Sequence, residues 1–409
     1  MDMASNQPEN LALTAEQLRE YSAAFNADRA NLVAANAAVS NGIPQAATSY
    51  RGVRELPRTF SVELKQGSIT SQEHSGRCWM FASLNTLRYE LMHKWNLDDF
   101  EFSESYLFFY DKLEKSNFYL ENVLKTLDKT TDSRIFEAVN EGPADDGGWW
   151  QMFVALVKKY GLVPKEAYPE SRDSSAFEQY LNTKLREFAA ELRDAHQAGK
   201  SVEELRSLKT GQMSVVYRIC AIAMGEPPTS FDLLLRVKDE GKDDAKDDAK
   251  ASESGTKSGI DSRRQIVEHG ITPQEFYAKY VGEDLDDFVS LTNSPLASTP
   301  YYRRYQLAFV GNVAEAAPMD FINVPLDVFR KAAVDQLTAG HPIWFACDCA
   351  QFSLRKAGIF DRGTVRVDEL FGTEFASDKA HGLEYNDSRS NHAMTLTGVN
   401  LDKAGQPDR

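Results

Sequence analysis

The sequence predicts an α+β fold, and three observations carry that prediction. Apolar residues recur at helical spacing through the first half and the middle, as in Phe153, Leu156 and Val157 or Leu326, Phe329, Ala333 and Leu337. Short apolar runs suited to strands, Ile343–Cys347 and Ala393–Val399, gather towards the end. Between helical stretches, Lys238–Gly259 contains no Leu, Ile, Val, Met, Phe, Tyr or Trp and alternates Lys with Asp around Ala and Gly. Such a run cannot bury a core and is expected to be a solvated loop.

Taken in order, the first helix is expected to begin at Thr14, whose hydroxyl and Gln17 form a capping box ahead of Leu18, Tyr21 and Phe25. It reads as an N-terminal arm. Helices then dominate as far as the acidic run and beyond it, and a small terminal sheet follows, with no internal repeat. Within the terminal part, Cys347-Asp348-Cys349 follows directly on Ile343-Trp344-Phe345-Ala346. No second cysteine pair accompanies it, so a buried strand is expected there rather than a metal site, and no metal or other cofactor is called for.

With 409 residues, 42% hydrophobic and 26% charged, the chain has the composition of a soluble globular protein of two or three packed units. Its 46 Lys+Arg against 61 Asp+Glu give a net charge of −15. That field repels phosphate backbones and anionic lipid, so nucleic acid and membrane are poor partners. The opening residues are acidic and polar, with no apolar run behind them, and the expected location is the cytoplasm. Only four cysteines occur, Cys78, Cys220, Cys347 and Cys349, too sparse for a disulfide framework.

The stretch richest in chemistry is Gln72-Glu73-His74-Ser75-Gly76-Arg77-Cys78-Trp79-Met80. Met80, Leu84, Leu87 and Leu91 form one helical stripe, which puts Cys78 in the first turn of a buried helix just after a glycine. A helix N-terminus carries positive potential and favours a thiolate there. The bland alternative is a small apolar cysteine in a core helix. Gln72 weighs against it, because its amide is placed to donate to an oxyanion formed at a carbon attacked by Cys78. A thiol nucleophile also needs a base, and seven histidines are available, at 74, 93, 196, 269, 341, 381 and 392. Residue patterns alone leave that choice open, although His392 stands out by opening a strand from a loop rich in Asn, Asp and Ser.

Gln72…Gly76-Arg77-Cys78-Trp79 resembles the nucleophile segment of the papain superfamily. Arg77 replaces a small residue and an upstream cysteine is missing. In those departures the chain resembles the bleomycin hydrolase/aminopeptidase C family, as it does in Phe102–Phe109, Asp146-Gly147-Gly148-Trp149, Tyr160–Lys165 with Pro169-Glu170-Ser171, Gly225–Pro228, Ile271–Tyr277 and Asn391–Thr395. The resemblance implies a papain-like two-lobed cysteine peptidase fold, with a helical lobe, a β-barrel lobe and a large helical insertion. It implies an intracellular aminopeptidase acting on short peptides, with Cys78 as nucleophile, His392 as base, Gln72 as oxyanion donor and Gly147 and Gly148 lining the cleft.

The domains implied are an N-terminal arm over residues 1–57, a helical lobe over 58–171, an oligomerising insertion over 172–340 that encloses the acidic loop 238–259, and a barrel lobe over 341–409. Cys78 and His392 stand 314 residues apart. Papain-like enzymes need only about 130–150, hence the insertion, which in the family resembles a module that builds a homohexamer. The 17 residues after His392 include Asn400 but no Asn-Ser-Trp-Gly. Asn400 reads as a strand-end or turn residue before Leu401–Gln406. The barrel is therefore expected to be incomplete, without the family's orienting Asn and C-terminal arm, and catalysis and preference for a free N-terminus to be weakened. A non-catalytic assembly protein and a thiol amidase or acyltransferase are the competing readings.

Overall fold

The computed structural model describes residues 12–171, 175–238 and 263–409. The acidic run, beyond Lys238, lies outside the described residues. In chain order the helices are α1 (Ala15–Ala27), α2 (Arg29–Asn41), α3 (Ile43–Ala46), α4 (Tyr50–Glu55), α5 (Cys78–Lys94), α6 (Glu104–Lys125), α7 (Arg134–Asn140), α8 (Trp150–Tyr160), α9 (Ser175–Gln197), α10 (Val202–Met224), α11 (Pro273–Phe276), α12 (Leu326–Thr338), α13 (Val367–Phe371) and α14 (Lys379–Glu384). The strands are β1 (Val62–Glu63), β2 (Phe231–Val237), β3 (Arg264–Ile271), β4 (Leu291–Thr292), β5 (Arg303–Gln306), β6 (Asp320–Asn323), β7 (Ile343–Cys347), β8 (Ser353–Leu354), β9 (Ile359–Phe360), β10 (His392–Leu396) and β11 (Gly398–Val399). The fold is α+β, as expected. Among the described residues no helix is long and apolar enough to cross a membrane.

The chain divides into two units. The smaller combines Met1–Arg58 with Asp348–Asn391, and the larger Thr59–Cys347 with His392–Arg409.

In the smaller unit α1 starts where the sequence predicts, with Thr14 and Gln17 closing a reciprocal capping box. Asp28 ends α1 and caps α2 by accepting from the Ala30 N–H at 2.8 Å. Neither helix buries a residue. The arm is joined to the later segment by backbone bonds from Ser49 N–H to the Thr364 carbonyl at 2.9 Å and from Arg366 N–H to the Ala47 carbonyl at 2.8 Å. A Cβ at Gly52 would stand 2.0 Å from the Gly363 oxygen, so that crossing needs glycine.

Beside a small cluster of Leu64, Tyr89, Leu337 and Val399, the larger unit has a main core. The stripe Met80, Leu84, Leu87 and Leu91 of α5 is fully buried, together with Phe109 and Leu120 of α6 and Phe153 and Leu156 of α8. Leu181, Leu185 and Leu192 of α9 and Val216 and Cys220 of α10 join the same cluster. Each such side chain contributes about 1.5–3 kcal/mol by leaving water.

Segment 172–340, expected as a helical insertion, also contains strands among its described residues. After α10 it forms the antiparallel hairpin β2–β3 and a three-stranded sheet in the order β4-β6-β5. The reason is the two-residue period of Phe231, Leu233, Leu235 and Val237, which are buried while the residues between them are exposed. Strands β7 and β10 pair antiparallel, with His392 opposite Cys347, and β1 pairs β11. Among the described residues no sheet holds more than three strands, and no barrel closes.

Candidate active site

Cys78 is the first residue of α5, and its sulfur accepts a hydrogen bond from the Ala393 N–H at 3.4 Å. That N–H is bonded to the carbonyl carbon of His392, so the strand start carrying the imidazole lies against the thiol although the two are 314 positions apart. Two further bonds fasten the sheet to the helix: Trp344 Nε1 of β7 donates to the Trp79 carbonyl at 3.0 Å, and Thr395 Oγ1 of β10 to the Ala82 carbonyl at 2.9 Å. Cys78 and His392 are both partly exposed. An N–H aimed at sulfur, together with the positive end of a 17-residue helix, is complementary to a thiolate.

Asn400, by contrast, directly follows β11, before the turn at 402–406, and its backbone pairs with Asp408 and Arg409. Its side chain donates to Asp408 at 2.7 Å, and a backbone bond joins Asp402 N–H to the Gln406 carbonyl at 2.8 Å.

The loop before α5 is folded onto itself. Gln72 Nε2 donates to the Ser75 carbonyl at 2.5 Å, and Ser75 returns two bonds to the Gln72 carbonyl, from its N–H at 3.1 Å and its hydroxyl at 2.8 Å. Glu73 takes a left-handed φ of 52° within this knot. The Arg77 carbonyl accepts from Met80 and Phe81, while the N–H groups of Cys78 and Trp79 meet no acceptor among the described residues. Open donors at a helix start suit a developing oxyanion, and the Gln72 amide, one N–H of which is given to Ser75, retains a second.

Arg77 explains its own presence. It is buried, donates to Ser75 Oγ at 2.9 Å, pairs with Glu170 at 2.8 Å and lies over the rings of Phe81 and Phe108. Burial acts to raise the Glu170 carboxyl, but Arg77 and Lys165 outweigh it and hold the group below the usual range. Behind it, burial pushes Glu104 up to about 7 against the pull of Lys165, which stands 2.6 Å away. At the far extreme, burial drives the thiol of Cys220 up to about 12, which leaves it inert at neutral pH.

Gly147 and Gly148 differ from each other. Gly147 has φ +95°, and a Cβ there would enter open space, as on a cleft wall. At Gly148 a Cβ would stand 2.6 Å from the indole of Trp79, the residue after the thiol. Gly148→Ala is therefore expected to displace Trp79, to lower stability by about 1–3 kcal/mol and to reduce kcat several-fold. Thermal unfolding and steady-state kinetics check this, and a variant unchanged in both would show that the indole yields freely.

Lys112, Lys115 and Asp146 went unassigned at the level of sequence, although Asp146 lies inside a quoted block. A buried lysine looks like any helical lysine in one dimension.

The sequence profile of the Peptidase C1-like family matches residues 12–251 and 261–409. The chain belongs to the Peptidase C1-like family. Among curated members of similar sequence, an aminopeptidase C from Lactobacillus delbrueckii subsp. lactis is 38% identical over 372 residues, 90% of this chain and 78% of that protein. An aminopeptidase C from Listeria monocytogenes is 36% identical over 95% of this chain and 83% of its own length. Among solved structures, that of PepW from Lactobacillus rhamnosis HN001 superposes with a TM-score of 0.88 at 38% identity, covering 97% of this chain and 84% of the other. Peptidase C1-like membership agrees with a thiol at a helix start facing the beginning of a strand.

Proposed function

We propose that this chain is a cysteine aminopeptidase that releases N-terminal residues from short peptides, with Cys78 as nucleophile and His392 as base. The observation that carries the reading is the Ala393 N–H on the Cys78 sulfur, which brings the two halves of a thiol dyad together. Relatives named aminopeptidase C over nine-tenths of the chain support the reaction class.

In this mechanism the Cys78 thiolate attacks the scissile carbonyl carbon, forming a C–S bond, and the oxygen takes up negative charge before the Cys78 N–H and Gln72. The C–N bond then breaks as the His392 imidazolium protonates the departing amine. Water, deprotonated by His392, hydrolyses the thioester and restores the thiol. Gly147 lines the path of the substrate backbone, a role supported by the open space above it.

The finer architecture proposed is papain-like, with lobes at 58–171 and 341–409 and an insertion at 172–340. Sparse cysteines support work in the cytoplasm.

The chain is further proposed to be a homo-oligomer, a hexamer by family resemblance. Support comes from α1 and α2, which expose Leu18, Tyr21, Phe25, Leu32, Val33 and Val39. Light scattering is expected to give a mass well above the 45.9 kDa of one chain, and a clean monomer would remove the assembly.

Aminoacyl reporters and N-acylated dipeptide reporters, compared on the protein and on Cys78→Ser, test the function. Cleavage of the aminoacyl reporters, lost in the variant, is expected. Faster cleavage of the N-acylated series would make the chain an endopeptidase instead.

A further inference from the structure

Gly76, two residues before the thiol, is gripped by both of its backbone groups. Its N–H donates to Asp146 Oδ2 at 2.8 Å, and its carbonyl accepts from the Gly147 N–H at 3.1 Å. The approach is close enough that a Cβ on Gly76 would lie 2.5 Å from the Asp146 Cβ. The other carboxylate oxygen of Asp146 pairs with Lys112 Nζ at 2.6 Å, and Lys112 is fully buried in α6. The same ammonium donates to the Ala144 carbonyl at 2.5 Å. One turn on, buried Lys115 donates to the carbonyls of Asp145 at 2.8 Å and Gly147 at 2.6 Å. Two lysines of α6 thus hold residues 144–147 against the nucleophile loop.

A buried ammonium–carboxylate pair is seldom the most stable way to fill a core, and its presence here coincides with the entry to α5. We propose that Lys112, acting through Asp146, is a positioning residue for Cys78: the pair sets Gly76 and so the angle at which α5 presents the thiol. The inference rests on Cys78 being the nucleophile.

Three titratable groups face Asp146: Lys112 and Lys115 from α6, and Glu178 from α9, which accepts from the Asp146 N–H at 2.7 Å and is itself faced by Asp145. Burial acts to raise the Asp146 carboxyl, and Lys112, the Gly76 N–H and Lys115 together more than offset it, so the group lies below the usual range. Without Lys112, burial is opposed only by the Gly76 N–H and Lys115, and the carboxyl rises. The rate then acquires a dependence that rises with pH as the carboxylate returns.

The test compares Lys112→Met, Asp146→Asn and the double variant with the intact protein, all rates being expressed per Cys78 thiol titrated by iodoacetamide. Lys112→Met is expected to lower kcat about 10–100-fold with KM within about two-fold, because a displacement near 1 Å costs that much in a reacting geometry. The double variant should recover most of the loss, since the amide oxygen introduced by Asp146→Asn still accepts from Gly76, the buried pair is removed as a whole, and Glu178, 3.8 Å from Lys112 in the intact protein, keeps the N–H of residue 146. If Lys112→Met does not fold, Asp146→Asn decides, with an expected fall in kcat of roughly 3–10-fold at unchanged KM. Wild-type kcat per titrated thiol in Lys112→Met, or in Asp146→Asn where that variant decides, overturns the proposal. So does a double variant no better than Lys112→Met. Failure of the nucleophile reading is seen separately, as full activity after Cys78 has been alkylated.

Discussion

Cys78→Ser is expected to lower peptide hydrolysis by about 10⁴-fold or more, to the level of the reagent blank, while leaving the fold intact. A hydroxyl is close in size to a thiol, so the buried neighbours Trp79 and Met80 keep their places. What is lost is the nucleophile, because a serine hydroxyl is far less acidic than a thiol and a dyad built for sulfur does not ionise it. The same residue should dominate labelling by a short pulse of iodoacetamide followed by peptide mapping. Cys220, buried and held near 12, should remain unmodified. Equal labelling of Cys220 and Cys78 would remove the case for an activated thiol, and residual turnover in the serine variant would move the chemistry elsewhere.

His392→Ala is expected to cost roughly 10²–10⁴-fold in kcat, the range for a positioned general acid–base, with a smaller change in KM. The thiol remains at the positive end of α5 under the Ala393 N–H, so some alkylation of Cys78 persists. Protonation of the leaving amine does not persist. Removing the ring leaves a space beside the strand start, and added imidazole should restore part of the rate by entering it. A loss with no rescue, accompanied by a lower Tm, would indicate that His392 holds β10 against β7 rather than transferring protons. Activity equal to wild type would return the choice of base to the other histidines.

Local signals carried much of this protein. The Thr14–Gln17 capping box begins α1 as read, because its partners are three residues apart. The stripe Met80, Leu84, Leu87, Leu91 forms the buried face of α5 with Cys78 at its head, because helical periodicity is a property of the local chain. Ile343–Cys347 and the run from His392 to Leu396 are strands for the same kind of reason. The alternation that makes β2 was equally local, in Phe231, Leu233, Leu235 and Val237, but was masked by the helices before it.

The meeting of distant parts was not legible in residue patterns. Which histidine faces Cys78 depends on β10 pairing with β7 and packing on α5, the latter a contact between residues some three hundred positions apart. Its place at the start of a strand singled His392 out, and the family resemblance made the choice. Likewise, nothing about Lys112 in one dimension distinguishes it from a solvated helical lysine. Its burial, its pairing with Asp146 and the grip on Gly76 arise when α6 packs beside the nucleophile loop. The sequence by itself marked most of the helices, the terminal strands and the candidate thiol sulfur at the head of α5, since those follow from neighbours along the chain. The tertiary structure alone decided which groups surround that atom, because burial and pairing are properties of the packed chain and are set by contacts that no local pattern encodes.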